Sequence, residues 1–231
     1  MRKILFLDNA IENDTYNAAQ YWKPLLVYPH DMFRVALGEW PSDVSAYSHI
    51  LITGSSACVL DNLDWMQTEV EFIQTAVSHG KVILGSCFGH QLIARSMFGL
   101  DAVGVRETPE IGWPDIEIMA DDALLGKAGR IMNGFVFHYD EVCQLPEDRA
   151  TVTARSSACG ILGFKLKGKP VWGIQPHFEM GIVEGLDYLD KVSGEHIPTR
   201  QAFFDSDHSL PKDNGRIAPL MKAFQEAQPI R

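Results

Sequence analysis

The chain has 231 residues, of which 46% are hydrophobic and 22% are charged. These fractions are ordinary for a folded globular protein, and they exclude collagen-like, coiled-coil and intrinsically disordered classes. With 20 basic and 30 acidic residues the formal net charge is −10, so the surface should repel nucleic acid and anionic lipid, and we expect neither as a partner.

The four cysteines stand at positions 58, 87, 143 and 159, with no C-x-x-C pair among them. This spacing fits neither a zinc ribbon nor a disulfide framework, and it favours a reducing compartment. The apolar run at residues 4–7 stops at Asp8 without a small-residue cleavage site, so it indicates a buried strand and not a signal peptide. Since no apolar stretch approaches the roughly 20 residues that span a bilayer, we expect a cytoplasmic protein.

The N-terminal half alternates short apolar runs with amphipathic stretches, which is typical of a parallel sheet covered by helices. The predicted strands lie at residues 4–7, 49–53 and 81–84. Apolar residues recur at helical spacing between 64 and 79, with Asp61 or Asn62 as the expected cap and Gly80 as the end. A second helix is predicted at residues 91–98.

The C-terminal half has four short strand-like runs, separated by turns rich in Gly, Pro and Asp. They lie at residues 116–119, 151–154, 161–166 and 171–175. Residues 168–170 are expected to close a hairpin, and helices are predicted at 182–192 and 218–227, joined by a polar, mobile stretch at 205–215. Nothing marks a second domain, so we predict one α/β domain over residues 1–231, with a mixed, mostly parallel sheet between two helical layers.

A glycine-rich elbow is the strongest local signal for chemistry. Residues 85–89, GSCFG, lie between a predicted buried strand and a predicted helix, where α/β enzymes carry a nucleophile on a strained turn. Small residues on either side of Cys87 let the chain turn tightly, and amides at the start of the helix stabilise a thiolate. Cys87 is therefore the candidate nucleophile, and a structural thiol in a glycine-rich turn is the alternative.

A candidate base and its orienting acid follow the last predicted strand, where residues 175–179 read QPHFE. A cysteine nucleophile needs a base, and a carboxylate bonded to that base fixes its tautomer. His177 and Glu179 are two residues apart, so in an extended segment their side chains project to the same side. Taken alone, an H-x-E at a strand end is more typical of a solvated rim, but with the elbow it completes a Cys87, His177 and Glu179 triad.

A glycine turn after the second predicted strand supplies candidate oxyanion donors. Residues 52–56 read ITGSS, and the carboxyl ends of parallel strands are where open α/β sheets bind ligands. An amide near Gly54 or Ser55, together with the amide of Phe88, would form an oxyanion hole. An ordinary strand-to-helix turn is the alternative.

The motifs together resemble a known enzyme family. Residues 85–91, GSCFGHQ, match the G-x-C-x-G-x-Q signature of class I glutamine amidotransferases, which also place the elbow before the H-x-E. The chain resembles a stand-alone member close to the glutaminase domain of GMP synthase. Residues 53–55 are similar to the oxyanion loop of the family, and residues 110–113, EIGW, to its E-x-G-W segment. The resemblance covers residues 50–179 and implies a flavodoxin-like architecture.

The resemblance implies a role for each matching residue. The nucleophile, base and orienting acid would be Cys87, His177 and Glu179, and the oxyanion donors would be Gly54 and Phe88. The implied substrate contacts are Ser55, Gln91, His138, Tyr139 and Asp140. No metal, nucleotide or other cofactor is implied for this reaction.

Two segments depart from the family pattern. Residues 137–142 read FHYDEV where GMP synthase domains have S-H-G-D-x-V, so that Phe137 replaces Ser and Tyr139 replaces Gly. In the family the backbone of this segment holds the α-amino and α-carboxylate groups of glutamine, so a bulky Tyr139 favours a larger γ-glutamyl compound. Residues 176–179 read PHFE where the family usually has F-H-P-E, which retains the His and the Glu.

A transition-metal site is an alternative interpretation of the same polar residues, since His and carboxylate at alternate positions can share one ion. Its ligands would come from Cys87, His90, His138, Asp140, His177 and Glu179. The elbow accounts for Cys87 as a nucleophile without a metal, and we expect no metal site.

The combined prediction is a cysteine-dependent glutamine amidotransferase that hydrolyses the γ-amide of glutamine to glutamate and ammonia through a γ-glutamyl thioester. Its substrate is then a small molecule, and a separate synthetase subunit would accept the ammonia unless the enzyme simply hydrolyses. Two alternatives stay open. One is a γ-glutamyl peptidase acting on γ-glutamyl peptides or conjugates, and the other is a catalytically silent regulatory protein of the same fold.

Overall fold

The computed structural model describes residues 2–12, 14–192, 211–214 and 217–230. Within these residues the strands are β1 (Ile4–Asp8), β2 (His30–Arg34), β3 (His49–Ile52), β4 (Val82–Ser86), β5 (Val103–Gly112), β6 (Asp115–Ile118), β7 (Ile131–Asn133), β8 (Val136–Val142), β9 (Ala150–Arg155), β10 (Gly163–Leu166) and β11 (Val171–Ile174). The helices are α1 (Ala18–Trp22), α2 (Asp64–Ser78), α3 (Phe88–Phe98), α4 (Ile182–Val192) and α5 (Ile217–Glu226).

Nine strands form one mixed sheet in the order β2-β1-β3-β4-β11-β10-β9-β6-β7. The strands from β2 to β11 in this order are parallel, and the four beyond β11 are antiparallel. Strands β5 and β8 pair antiparallel in a separate sheet. The carboxyl ends of β3, β4 and β11 therefore meet at one edge of the large sheet, and this edge carries the candidate site.

The large sheet is buried on both faces, which explains why its central strands are apolar without alternation. In β1, Ile4 and Phe6 belong to the core on the side of α1, α4 and α5, where Trp22 is also fully buried. Leu5 and Leu7 belong to the core on the side of α2 and α3. Each such side chain contributes about 1.5–3 kcal/mol by leaving water. The three-layer α/β architecture predicted from the sequence is confirmed.

Most predicted elements are present with ends shifted by up to a few residues, and α4 has the predicted bounds. The expected cap of α2 is wrong. Leu63 occupies the cap position with no side-chain hydrogen bond, and Asn62 instead accepts a hydrogen bond of 2.8 Å from the guanidinium of Arg95. Gly80 ends the helix as expected, with φ +65°.

Several elements were not predicted, namely α1, β2, β5, β7 and β8. The stretch at 205–215, predicted to be mobile, lies outside the described residues apart from 211–214. The extent of a single domain over residues 1–231 stays a prediction. No helix among the described residues is long and apolar enough to cross a membrane.

Candidate active site

Cys87 lies at the junction of β4 and α3 in a strained backbone conformation. Its φ is +50° and its ψ is −107°, and among the described residues it is the only non-glycine residue with positive φ. Such a conformation costs of order 1–3 kcal/mol and persists where the surrounding structure enforces it. The side chain is 6% exposed, at the edge where the carboxyl ends of the parallel strands meet.

Close backbone packing enforces this elbow and requires its glycines. A Cβ at Gly85 would lie 2.4 Å from the carbonyl oxygen of Gly89, and a Cβ at Gly89 would lie 2.5 Å from the carbonyl oxygen of Ile52. Both contacts are with backbone, which cannot move aside as a flexible side chain can. The glycines therefore let α3 start directly against β3 and β4, and this packing presents Cys87 at the sheet edge.

His177 follows β11 and is anchored by its own backbone. Its amide donates to the carbonyl of Phe135 at 2.7 Å, and its Nδ1 lies 2.6 Å from Glu179 Oε1. A bond from Nδ1–H to the carboxylate leaves the other ring nitrogen, Nε2, for Cys87, which lines the same cavity as His177. The expected extended conformation is wrong, because the chain turns after His177 and Met180 N bonds back to its carbonyl at 3.1 Å.

Glu179 and Cys87 both influence the ionisation of the His177 imidazole. Burial lowers the pKa of His177, but the charge of Glu179, the charge of Cys87 and the hydrogen bonds to both outweigh burial and raise the pKa well above its ordinary value. The protonated imidazole is thus stabilised when the sulfur carries negative charge. This is the electrostatic condition under which a cysteine can act as a nucleophile.

Tyr16 completes the arrangement, and it was not predicted from the sequence. Its hydroxyl donates to Glu179 Oε1 at 2.9 Å and accepts from Trp22 Nε1 at 3.2 Å. Burial, followed by the charge of Glu179, raises the pKa of Tyr16 well above its ordinary value, so the phenol stays protonated and remains a donor. Because Tyr16 and Glu179 are 163 residues apart in sequence, no local pattern could have paired them.

Gly54 packs directly against the two reacting groups. A Cβ at this position would lie 3.0 Å from His177 Cε1 and 3.6 Å from Cys87 Cβ. Neither the amide of Gly54 nor that of Phe88 donates a backbone hydrogen bond to another described residue. Both amides are thus available to a ligand, as the donors of an oxyanion hole must be. The donor roles themselves stay predictions.

A cavity of about 270 Å³ opens above Cys87 and His177. All five residues predicted to contact substrate line it, and they are Ser55, Gln91, His138, Tyr139 and Asp140. Aromatic side chains contribute much of the remaining wall, from Tyr16, Phe135, Phe137 and Tyr188. The structure therefore brings together the residues that the sequence could name only one motif at a time.

The polar groups of the cavity are largely engaged within the protein. Gln91 Nε2 donates to the carbonyl of Asp140 at 2.8 Å and to Gln175 Oε1 at 3.1 Å, which leaves its amide oxygen for a ligand. The Asp140 carboxylate accepts from the amide of Val59 at 3.1 Å. Tyr139 is 42% exposed and lies at the mouth of the cavity.

Both ring nitrogens of His138 are occupied. Nδ1 donates to the carbonyl of Asp140 at 2.9 Å, and Nε2 lies 2.9 Å from Glu110 Oε2. Burial raises the pKa of Glu110, but its hydrogen bonds with His138 and Ser156 outweigh burial and lower it. The pairing of β5 with β8 places Glu110 opposite His138. Glu110 thus fixes the His138 ring, a role that the E-x-G-W motif alone did not reveal.

The alternative metal ligand set does not come together among the described residues. There, the potential ligand atoms found within 4.8 Å of one another belong to Glu110, His138 and Cys159. His90 packs against Phe164 with ring centroids 5.0 Å apart, and burial lowers its pKa to about 3. His90 is therefore a neutral residue of the core.

Comparison with known proteins assigns the chain to a family. The model of the class I glutamine amidotransferases matches residues 19–189. Gamma-glutamyl peptidase 4 of Arabidopsis thaliana is 32% identical over 192 residues, which cover 80% of this chain and 74% of that protein. The chain belongs to the class I glutamine amidotransferase family, a family of enzymes, as the motif resemblance indicated.

Two further similarities are to a GMP synthase subunit and to a solved glutamine amidotransferase structure. The glutamine-hydrolyzing GMP synthase subunit of Methanothermobacter thermautotrophicus is 40% identical over 98 residues, which cover 42% of this chain and 51% of that protein. The crystal structure of a glutamine amidotransferase from Thermotoga maritima matches with a TM-score of 0.69 and 16% identity, over 97% of this chain and 96% of the other. The structural likeness supports the fold.

Proposed function

We propose that this protein hydrolyses the amide bond of a γ-glutamyl compound with Cys87 as nucleophile, His177 as base and Glu179 as orienting acid. The observation that carries the proposal is the strained Cys87 at the β4–α3 elbow, which lines the same cavity as His177. His177 is itself bonded to Glu179 at 2.6 Å. A nucleophile beside a base, with the base in turn bonded to an orienting carboxylate, is the recurring arrangement of covalent acyl-transfer enzymes.

The first half of the reaction forms a thioester. The Cys87 sulfur attacks the γ-carbonyl carbon of the substrate, and the carbonyl oxygen becomes an oxyanion facing the amides of Gly54 and Phe88. Collapse of this intermediate breaks the C–N bond, and His177 donates its proton to the departing nitrogen. Tyr16 and Glu179 hold the imidazole in the orientation that both proton transfers need.

The second half releases glutamate. A water molecule gives a proton to His177 and attacks the thioester carbon, and a second oxyanion forms at the same two amides. Cleavage of the C–S bond returns the sulfur to Cys87 and the γ-carboxylate to the product. Each step uses only groups of the chain, the substrate and water.

Two substrates are consistent with this chemistry. Free glutamine would give ammonia, which a separate synthetase subunit would use, and the similarity to the glutamine-hydrolyzing GMP synthase subunit supports this possibility. A γ-glutamyl peptide is favoured by Tyr139 at the cavity mouth and by the similarity to gamma-glutamyl peptidase 4 over 80% of the chain. We propose γ-glutamyl amide hydrolysis as the shared activity, in a protein of the cytoplasm.

The test measures glutamate release from glutamine and from a panel of γ-glutamyl peptides, with intact-protein mass spectrometry of quenched reactions. We expect an acyl adduct on the unmodified protein and none on Cys87→Ala, whose turnover should fall at least ~10³-fold. Glu179→Ala should lose less, because Glu179 only orients the base. Cys58→Ala is the matched control, since Cys58 lines the same cavity and has no place in the mechanism.

The outcomes separate the candidate functions. Release from glutamine indicates an amidotransferase and justifies a search for the ammonia acceptor. Release from γ-glutamyl peptides alone indicates a peptidase. Equal turnover by Cys87→Ala contradicts the mechanism, and silence on every substrate leaves the regulatory alternative.

A further inference from the structure

A second cavity adjoins the candidate active site on the side of His177. Its volume of about 270 Å³ equals that of the first cavity. The two cavities share a wall formed by Tyr16, Ser56, Phe137, Tyr139 and Tyr188. The Tyr16 ring in this wall packs edge-on against the His177 imidazole, with centroids 5.4 Å apart. Tyr16 therefore connects the second cavity to the proposed proton donor, which lines the first cavity.

The position of this cavity matches the path of the leaving group. A base that protonates the departing nitrogen must face it, so the amine half of the substrate departs on the side of His177. Ammonia is about the size of a water molecule, which occupies ≈ 30 Å³ in the liquid. A cavity of about 270 Å³ is far larger than ammonia needs, and it can hold the body of a substituted amine.

The lining of the second cavity indicates which amines fit. Phe137 contacts Tyr139 and Tyr188 edge-on, with ring centroids 5.8 and 5.0 Å away. Ile11 lines the second cavity and not the first. Of the described residues that line it none is basic, and Glu12 is acidic. A carboxylate placed here would lie near the acidic side chain of Glu12, and like charges repel.

We propose that this second cavity binds the amine half of a γ-glutamyl amide and selects amines with an apolar body and no carboxylate. The inference rests on the proposed function. As the C–N bond breaks, the acyl carbon stays on the Cys87 sulfur and the amine takes its proton from His177. The apolar body of the amine then lies between the aromatic wall and Ile11.

The Ile11→Asp variant tests the second cavity separately from the first, because Ile11 lines only the second. Ile11 is 40% exposed, so a polar replacement does not bury a charge in the core. The new carboxylate would lie beside the apolar body of the amine and weaken its binding. Val27→Asp is the matched control, because Val27 is 77% exposed and lines neither cavity.

Calorimetric titration of Cys87→Ala, which removes the nucleophile, measures binding without turnover. The probes are γ-glutamylanilide, which carries an apolar amine, and γ-glutamylglycine, whose amine half carries a carboxylate. We expect the anilide to bind at least about tenfold more tightly, a range typical of small apolar differences in a pocket. Adding Ile11→Asp should lower the anilide affinity about tenfold more than the γ-glutamylglycine affinity. Adding Val27→Asp should change neither.

Turnover of the same two compounds by the protein with Cys87 present distinguishes the two hypotheses. If neither compound is turned over but the anilide still binds more tightly than γ-glutamylglycine, the hydrolase proposal is contradicted and the subsite is supported. Equal affinity for the two probes, no binding of the anilide, or an equal effect of Ile11→Asp on both overturns the subsite, whatever the turnover.

Discussion

Replacing Glu69 by glutamine should remove a large pH dependence from the stability of this protein. Glu69 lies on α2 and is 0% exposed. Asn9 Nδ2 donates to its Oε1 at 3.3 Å, and within the described residues neither Glu69 Oε2 nor Asn9 Oδ1 has a partner. Burial raises the pKa of Glu69 from 4.5 to about 8. A neutral carboxyl group avoids burying a charge, and glutamine has a similar shape without an ionisable group.

The direction and size of the effect follow from proton linkage. Below pH 4.5 both the folded and the unfolded chain hold the proton, and the stabilisation from protonated Glu69 is fully present. As pH rises toward about 8, the unfolded chain releases the proton while the folded chain retains it, so this stabilisation is lost. At 1.36 kcal/mol per pKa unit, the loss over the whole window is about 5 kcal/mol, and between pH 5 and pH 8 it is about 4 kcal/mol.

Urea unfolding at pH 5 and pH 8 measures this dependence. The free energy of unfolding of Glu69→Gln minus that of the unmodified protein should increase by about 4 kcal/mol between the two conditions. Glu71→Gln is the control on the same helix, because Glu71 is exposed, and it should stay within about 0.5 kcal/mol at both pH values.

A difference in unfolding free energy between Glu69→Gln and the unmodified protein that stays constant with pH would refute the reasoning, since it would mean that Glu69 ionises in the folded chain as readily as in water.

The hydrogen bonds of Glu69 and Asn9 also connect to the candidate oxyanion loop. The Asn9 amide donates to Thr53 Oγ1 at 3.0 Å, and Thr53 precedes Gly54. Ionisation of Glu69 at alkaline pH would therefore strain the segment that carries one of the two candidate oxyanion donors.

Two further predictions concern the candidate site. Gly54→Ala should lower kcat/KM about 10²-fold, the effect of a small misplacement of a reacting group, because its Cβ would lie 3.0 Å from His177 Cε1 and displace the imidazole. Steady-state kinetics on a folded variant checks this, and unchanged activity would contradict the tight packing of Gly54 against His177. Tyr16→Phe should lower kcat about tenfold by removing a hydrogen bond to the charged Glu179. Tyr21→Phe is its control, because the Tyr21 ring stacks on that of Tyr16 with centroids 5.9 Å apart, and equal losses in the two variants would show that the Tyr16 hydroxyl has no special role.

The sequence revealed those parts of the site whose geometry depends on local backbone. The elbow could be predicted because the contacts of Gly85 and Gly89 leave no room for a Cβ. These two positions therefore require glycine, and the glycines in the sequence indicate the turn. Strands buried on both faces could be predicted equally well, since most of their residues are apolar. Where neighbouring residues determine the local backbone structure, that structure can be predicted from the sequence.

Contacts between distant segments could not be predicted from the sequence. Strand β5 reads VGVRETPEIG and becomes a strand only through its pairing with β8. Edge strand β2 reads HDMFR, with no buried residue, so no apolar pattern marked it. The missed cap of α2 has the same origin, because Asn62 bonds to Arg95 on another helix. Each error arises where a partner far away in sequence outweighs local propensity.

This division separates chemistry from selectivity in the protein. The candidate nucleophile and its candidate base depend on glycines and on an H-x-E segment, which can be recognised in the sequence. Selectivity for the amine half depends on side chains that reach the shared wall from unrelated segments, such as Tyr16, Phe137 and Tyr188. Substitutions at these positions alter the shape of the second cavity without touching the elbow. One triad can therefore serve amides with very different amines, and the aromatic wall rather than the motif is where substrate choice should be sought.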